Sequence, residues 1–164
     1  MGDVLLEIKG LTKYYPVLKG LIFSRLIGVL KAVDSVNFDI NRGETFGLVG
    51  ESGCGKTTTA RLILMLESIT SGFIFFNNKD INKLFGQELK NYRRMVQAVF
   101  QNPYGSLSPR MRAGDIIAEP LVVNDSLSRN QLKERIEEVL EVVKLGKDKI
   151  DLKFKASANS AGPR

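Results

Sequence analysis

The sequence has no histidine, and Cys54 is its one cysteine among 164 residues. A single cysteine rules out an intrachain disulfide and agrees with a reducing compartment. Without histidine, Cys54 has no imidazole base to make it a catalytic nucleophile. No block of five or more like charges is present, so nothing resembles a nucleic-acid arm, and no nucleic-acid partner is expected. Long apolar runs are missing too. The most apolar stretch, Gly20 to Leu30, is interrupted by Arg25 and falls well short of the roughly 20 residues that span a bilayer. Asp3 and Glu7 break the first apolar run, which argues against a signal peptide. A role at a membrane would therefore require docking on a partner.

What remains is an ordinary globular composition: 43% hydrophobic residues and a net charge of +6. The positive balance suits a phosphate ligand, an anionic membrane or nucleic acid, and does not choose among them. The length suits one domain or a large piece of one.

Val4 to Ile8 reads as a first strand, and Val33 to Ile40, alternating at Val36, Phe38 and Ile40, as a second. After a turn at 41–44, the short apolar run 45–49 (Thr-Phe-Gly-Leu-Val) has the signature of a buried strand. Thr58 to Leu66 reads as a helix, 73–76 as a strand, Glu88 to Met95 as a polar helix and Val96 to Phe100 as another strand. Pro103, Gly105 and Pro109 keep 102–112 a loop. Ser128 with Gln131 forms a capping box, and Leu127 with Leu132 occupy the staple positions. Leu132, Ile136, Val139, Leu140 and Val143 then form one apolar stripe that Gly146 is placed to stop.

Between the 45–49 run and the helix lies Gly50-Glu51-Ser52-Gly53-Cys54-Gly55-Lys56-Thr57, a phosphate-loop pattern in its required strand-and-helix context. Glycines permit a tight turn and close backbone approach to phosphate oxygens. Successive N–H groups form an anion nest, and the helix adds its positive end. Lys56 supplies an ammonium for the β- and γ-phosphates, and Thr57 a hydroxyl for Mg²⁺, which prefers oxygen ligands.

At this point a family resemblance emerges. Residues 47–58, Lys31-Ala32-Val33-Asp34, the run 99–111 from Val99 through Gln101, Pro103 and Tyr104 to Met111, and Gly114 to Leu121 resemble ABC transporter ATPases. Within them the chain is most similar to the ATP-binding subunit of oligopeptide and dipeptide importers, over about residues 4–145. The resemblance implies ATP and Mg²⁺ as ligands. It assigns nucleotide binding to Gly50, Ser52, Gly53, Cys54, Gly55, Lys56, Thr57 and Thr58, metal contact to Thr57 and Gln101, and catalytic roles to Lys56 and Gln101. Tyr15 resembles the aromatic that stacks on adenine. Tyr14 is its competitor, and the offset from Thr12 favours Tyr15. Residues 104–120 match the part of the family's helical subdomain that faces the membrane permease subunits. A second ATP-binding subunit, in a head-to-tail dimer, and a peripheral location on the cytoplasmic face of the plasma membrane are implied as well. Segment 16–31 resembles a subfamily insertion that either packs locally, the favoured reading, or touches the permease.

The sequence also departs from the family. It has no switch histidine and no apolar strand ending in Asp-Glu; Leu121 to Asp125 only imitates one, inside the expected helical subdomain. Where the signature serine is expected, the chain reads Asn159-Ser160-Ala161-Gly162-Pro163-Arg164, either a damaged signature or a frayed tail. Phosphoryl transfer needs positioning, charge neutralisation and an oriented water, and the phosphate-loop half of that apparatus is what this sequence supplies. The expected fold is α/β of the phosphate-loop type, incomplete: an antiparallel edge sheet, a partial parallel core and part of a helical subdomain. The expected layout is an ATP-binding core over 1–101 with the insertion at about 16–31, a partial helical subdomain over 102–150 and a frayed tail over 151–164. The function implied is the ATP-binding subunit of an oligopeptide or dipeptide importer, or a truncated fragment of one. The alternative is a nucleotide-binding remnant or regulatory module without turnover.

Overall fold

The computed structural model describes residues 3–20, 25–101, 107–108, 110–124 and 127–151. The chain divides into two compact units, 1–97 and 98–164.

The first unit is built on one antiparallel sheet. Its strands are β1 (Val4–Lys19), β2 (Arg25–Asn41), β3 (Ser71–Phe76) and the two-residue β4 (Lys79–Asp80). Their order across the sheet is β2-β1-β3-β4. On the central strand β1, Leu6 and Ile8 are buried while Glu7 and Lys9 between and beside them pair at 2.7 Å. Ile8 lies between Phe38 of β2 and Ile74 of β3. Strict alternation would turn Leu11 to the same side as Lys9. Instead the register shifts between Ile8 and Leu11, and Gly10 takes φ +57. A bulge with glycine in the left-handed region changes the parity of the strand, so Leu11 joins the core fully buried.

Helix α1 (Lys56–Ile63) lays Thr59 and Leu62 inward. Leu62 joins Leu6, Ile8, Leu11, Val33, Ile74, Ile81 and Tyr92 in one buried cluster. Each such aliphatic side chain contributes about 1.5–3 kcal/mol by leaving water. The helix is shorter than the expected 58–66 at its end because Met65 turns left-handed (φ 53). There Leu66 N donates to Arg61 O and Met65 N to Leu62 O, the paired bonds that close a helix C-terminus. Helix α2 (Gly86–Met95) buries Tyr92, whose ring meets Phe76 edge-on at 5.3 Å. The Tyr92 hydroxyl donates to Ile63 O, one of the carbonyls left open at the end of α1.

Two expected strands do not form. Residues 45–49 and 96–100 have no place in the sheet. A parallel strand needs a neighbour on each side and cover on both faces. Among the described residues neither segment has them, and Val49 and Val99 stand 89% and 94% exposed. The first segment is held instead by Phe46 stacking on Phe38 at 4.8 Å.

The second unit carries helices α3 (Ala113–Asn124) and α4 (Arg129–Val142) and a 3-10 turn, Lys147–Asp151. Leu121 to Asn124 are the last turn of α3, so the imitation of an acidic strand is helical. The capping box forms as expected: Ser128 N donates to Gln131 Oε1 at 3.0 Å and Gln131 N to Ser128 Oγ at 3.4 Å. Of the apolar stripe, Ile136 and Leu140 are buried, whereas Val139 and Val143 are exposed. Lys144, not Gly146, stops the helix: it takes φ 58 while Leu145 N donates to Leu140 O and Lys144 N to Glu141 O. Asp151, expected in the tail, ends the 3-10 turn and pairs with Arg112 at 2.8 Å. The stretch 159–164 lies outside the described residues.

Burial pushes the Tyr92 hydroxyl up to about 12. The fold therefore favours its neutral form. That contribution is intact below pH 10 and is lost as the pH rises towards about 12. We expect Tyr92→Phe to cost about 1 kcal/mol at pH 7 by leaving the Ile63 carbonyl without its donor. In urea titrations at successive pH values, the gap between parent and variant should close between pH 10 and pH 12.

Candidate nucleotide-binding site

The phosphate loop hangs between the end of β2 and the start of α1. Its entry is a turn in which Glu44 N donates to Asn41 O at 3.1 Å and the Glu44 carboxylate accepts from Asn41 N at 2.7 Å. The loop then needs glycine at defined points. Gly55 has φ +95, and a Cβ there would overlap the Ala32 carbonyl oxygen of β2. Gly50 has φ +155, and a Cβ there would stand 2.6 Å from Cys54 Sγ. Gly53 also has positive φ, +84, but faces open space.

Gly55 is the residue before the first turn of α1, and no side chain caps that turn. The first turn carries no acidic residue either, so its N–H groups and positive helix end are not neutralised from within. Behind it, Thr59 fastens the loop: its N–H and its hydroxyl both donate to Gly55 O, at 2.8 and 3.0 Å. The Lys56 ammonium lies over the loop, donating to Gly50 O at 2.7 Å and Glu51 O at 2.6 Å, with Cys54 Sγ at 3.4 Å. Ser52, Cys54 and Thr57 are exposed; Lys56 and Thr58 are half-buried.

Tyr14 and Tyr15 take different surroundings. The Tyr14 hydroxyl donates to Asp34, and Lys31 Nζ lies 5.2 Å from its ring centre. The Tyr15 hydroxyl donates to Glu67, beyond the end of α1, and Lys13 Nζ lies 4.9 Å from its ring centre. Hydrogen bonding to Glu67 pushes the Tyr15 phenol above its ordinary value, with Thr58 and Arg61 of α1 pulling the other way. The same bond holds the Glu67 carboxyl below the usual carboxylate range, and Arg61 (3.3 Å) and Lys13 act in the same direction. Tyr15 is thus the tyrosine seated beside the phosphate-loop helix. Thr59, Glu67 and Lys13 support the site without any sequence motif that marks them.

Gln101 belongs to the second unit, where it is exposed. The loop, Tyr15, Thr57 and Thr58 all belong to the first. Among the described residues no three His, Cys, Asp or Glu side chains converge on a metal position. Any ion here would draw its ligands from hydroxyl, amide, phosphate and water oxygens, which suits Mg²⁺.

Comparison with known proteins places this geometry. Residues 33–163 match the ABC transporter family. The dipeptide transport ATP-binding protein DppF of Escherichia coli (strain K12) is 46% identical over 131 residues, 80% of this chain and 39% of that protein. The oligopeptide transport ATP-binding protein OppF of Bacillus subtilis (strain 168) is 41% identical over 150 residues, 90% of this chain and 47% of that protein. Among solved structures, the dimeric post-hydrolysis state of the ATP-binding cassette MJ0796, bound to ADP and Pi, superposes with a TM-score of 0.67 at 27% identity. That match covers 91% of this chain and 61% of the cassette. The chain spans less than half the length of these two curated relatives. With a phosphate loop leading into its helix and most of its residues matched, this chain belongs to the ABC transporter family.

Proposed function

We propose that this chain binds Mg-ATP at Gly50 to Thr57 and is the nucleotide-binding part of an oligopeptide or dipeptide importer, where ATP binding and hydrolysis are coupled to transport. The observation that carries the reading is the loop itself: left-handed glycines, an uncapped helix start and a lysine ammonium meet at one point. Phosphate oxygens would exchange with the carbonyls that now hold Lys56, and the bond to phosphate is the stronger of the two because both partners are charged. Ser52, Gly53, Cys54, Gly55 and Thr58 line the same loop and offer backbone and hydroxyl donors. Thr57 would hold Mg²⁺, which neutralises phosphate charge when bound, and Gln101 has a metal role only through the family resemblance. Tyr15 offers its ring to adenine.

The partners follow from the relatives. A second ATP-binding subunit would dock head-to-tail, as the MJ0796 cassette is dimeric in its solved structure. Residues 104–120, of which 104–106 and 109 lie outside the described residues, would face the membrane permease subunits, on the cytoplasmic side of the plasma membrane. No helix among the described residues is long and apolar enough to cross a membrane, so attachment through a partner fits. A second reading is nucleotide binding without turnover, in a remnant or a regulatory module.

Five measurements test these assignments. Lys56→Ala should weaken Mg-ATP binding by calorimetry about 10- to 100-fold, as expected for losing charge-assisted bonds. Tyr15→Ala should weaken it roughly tenfold, the order of one base–aromatic stack, while Tyr14→Ala leaves it nearly unchanged. Gly55→Ala should abolish binding and lower the melting temperature, because its Cβ meets backbone; Gly53→Ala, facing open space, should carry only the strain of its φ, about 1–3 kcal/mol. The exposed Cys54 thiol should alkylate more slowly in saturating Mg-ATP, and equal rates would contradict binding at this loop. Phosphate release by the chain alone should stay at background; turnover that disappears in Lys56→Ala would overturn the second reading.

A further inference from the structure

β1 and β2 run on beyond the rest of the sheet as a two-stranded ribbon. Pro16 pairs with Val29, Val17 with Gly28, Leu18 with Leu26 and Lys19 with Arg25. β3 follows β1 only as far as the Thr12–Ser71 pair, so it does not flank the ribbon. Every described residue from Pro16 to Lys31 is exposed. Leu18, Leu26, Ile27, Val29 and Leu30 each keep more than half of their surface in water. Of the segment expected to pack locally, 21–24 lie outside the described residues; the described part pairs strand to strand and is exposed.

The pattern of side chains narrows what covers the ribbon. Val29 and Leu30 are successive strand residues, so they point to opposite faces, and both are exposed. A protein groove takes one face of a ribbon and leaves the other in water, where polar residues are expected. A bilayer interface surrounds both faces. The charges agree. Segment 16–31 contains Lys19, Arg25 and Lys31 and no acidic residue. Lys31 is committed to Asp34 at 3.1 Å. Lys19 and Arg25 lie directly opposite each other, and among the described residues no carboxylate pairs with either. Two like charges side by side weaken a hairpin in water. Against anionic headgroups they are favourable, with the aliphatic residues beside them reaching the acyl boundary.

We propose that this ribbon is a lipid-binding element that inserts into the interface of an anionic bilayer. It gives the chain its own membrane contact, beside any contact with membrane subunits. The inference does not depend on the nucleotide site, and its test contains no nucleotide.

The test is flotation of the 164-residue chain with vesicles in a density gradient, where aggregated protein stays at the bottom. Vesicles of phosphatidylcholine alone are compared with vesicles of equal parts phosphatidylcholine and phosphatidylglycerol. The chain should float with the anionic vesicles and be released at about 1 M salt, where the Debye length is only ~3 Å. Lys19→Ala and Arg25→Ala should each lower the partition coefficient roughly fivefold. Leu26→Asn with Leu30→Asn should lower it further, while the melting temperature stays at the parent value because these positions are exposed. Failure to float, or equal flotation with both vesicle types, would overturn the proposal. Flotation seen only when the vesicles carry the importer's membrane subunits would assign the ribbon to a protein partner instead.

Discussion

The contact between Gly55 and the carbonyl oxygen of Ala32 is what the rest of the site depends on. It brings the loop backbone against β2 with no side chain between them. Thr59 then ties the same Gly55 carbonyl to the body of α1, and Leu62 seats that helix among Ile8, Leu11, Val33 and Ile74. The loop is thus fixed to the sheet on one side and to the helix on the other. The first-turn N–H groups of α1, which no side chain caps, lie next to this anchored loop. Preorganised donors of this kind bind an anion without first losing conformational entropy.

The same sheet sets the position of Tyr15. A strand sends neighbouring side chains to opposite faces, so Tyr14 meets Lys31 and Asp34 while Tyr15 meets Glu67 and the α1 side chains. The other apolar segments have no comparable support. Residues 45–49 and 96–100 have the composition of buried parallel strands, and among the described residues they have no strand neighbours. A strand of that kind is a cooperative object: its conformation comes from the ladder beside it, not from its own residues. The loop keeps its shape next to such a segment because its anchors, Ala32, Thr59 and Leu62, lie elsewhere.

What was legible in the sequence was local. The helix after the phosphate loop, the capping box at Ser128 and Gln131 and the start of β1 are set by neighbouring residues and form as read, whereas the strand expected before the loop does not. What was not legible depended on distant contacts or on rare backbone choices. The helix stops at Met65 and Lys144 use left-handed residues that are not glycine, so Gly146 does not mark the end of α4. The ribbon beyond Tyr15 carries apolar residues on both faces, a pattern that gives neither strand nor helix periodicity. Glu67 follows the end of α1 and reaches Tyr15 from 52 positions away, a contact no spacing rule marks.

The central claim is that the backbone N–H groups at the start of α1, and not merely the Lys56 charge, hold the nucleotide phosphates. Amide hydrogen exchange resolved to short peptides tests it most directly. On addition of Mg-ATP, exchange should slow in the peptide spanning Gly53 to Thr58 and stay unchanged in the ribbon at 25–31. Unchanged exchange at 53–58 in a chain that demonstrably binds ATP would contradict the account.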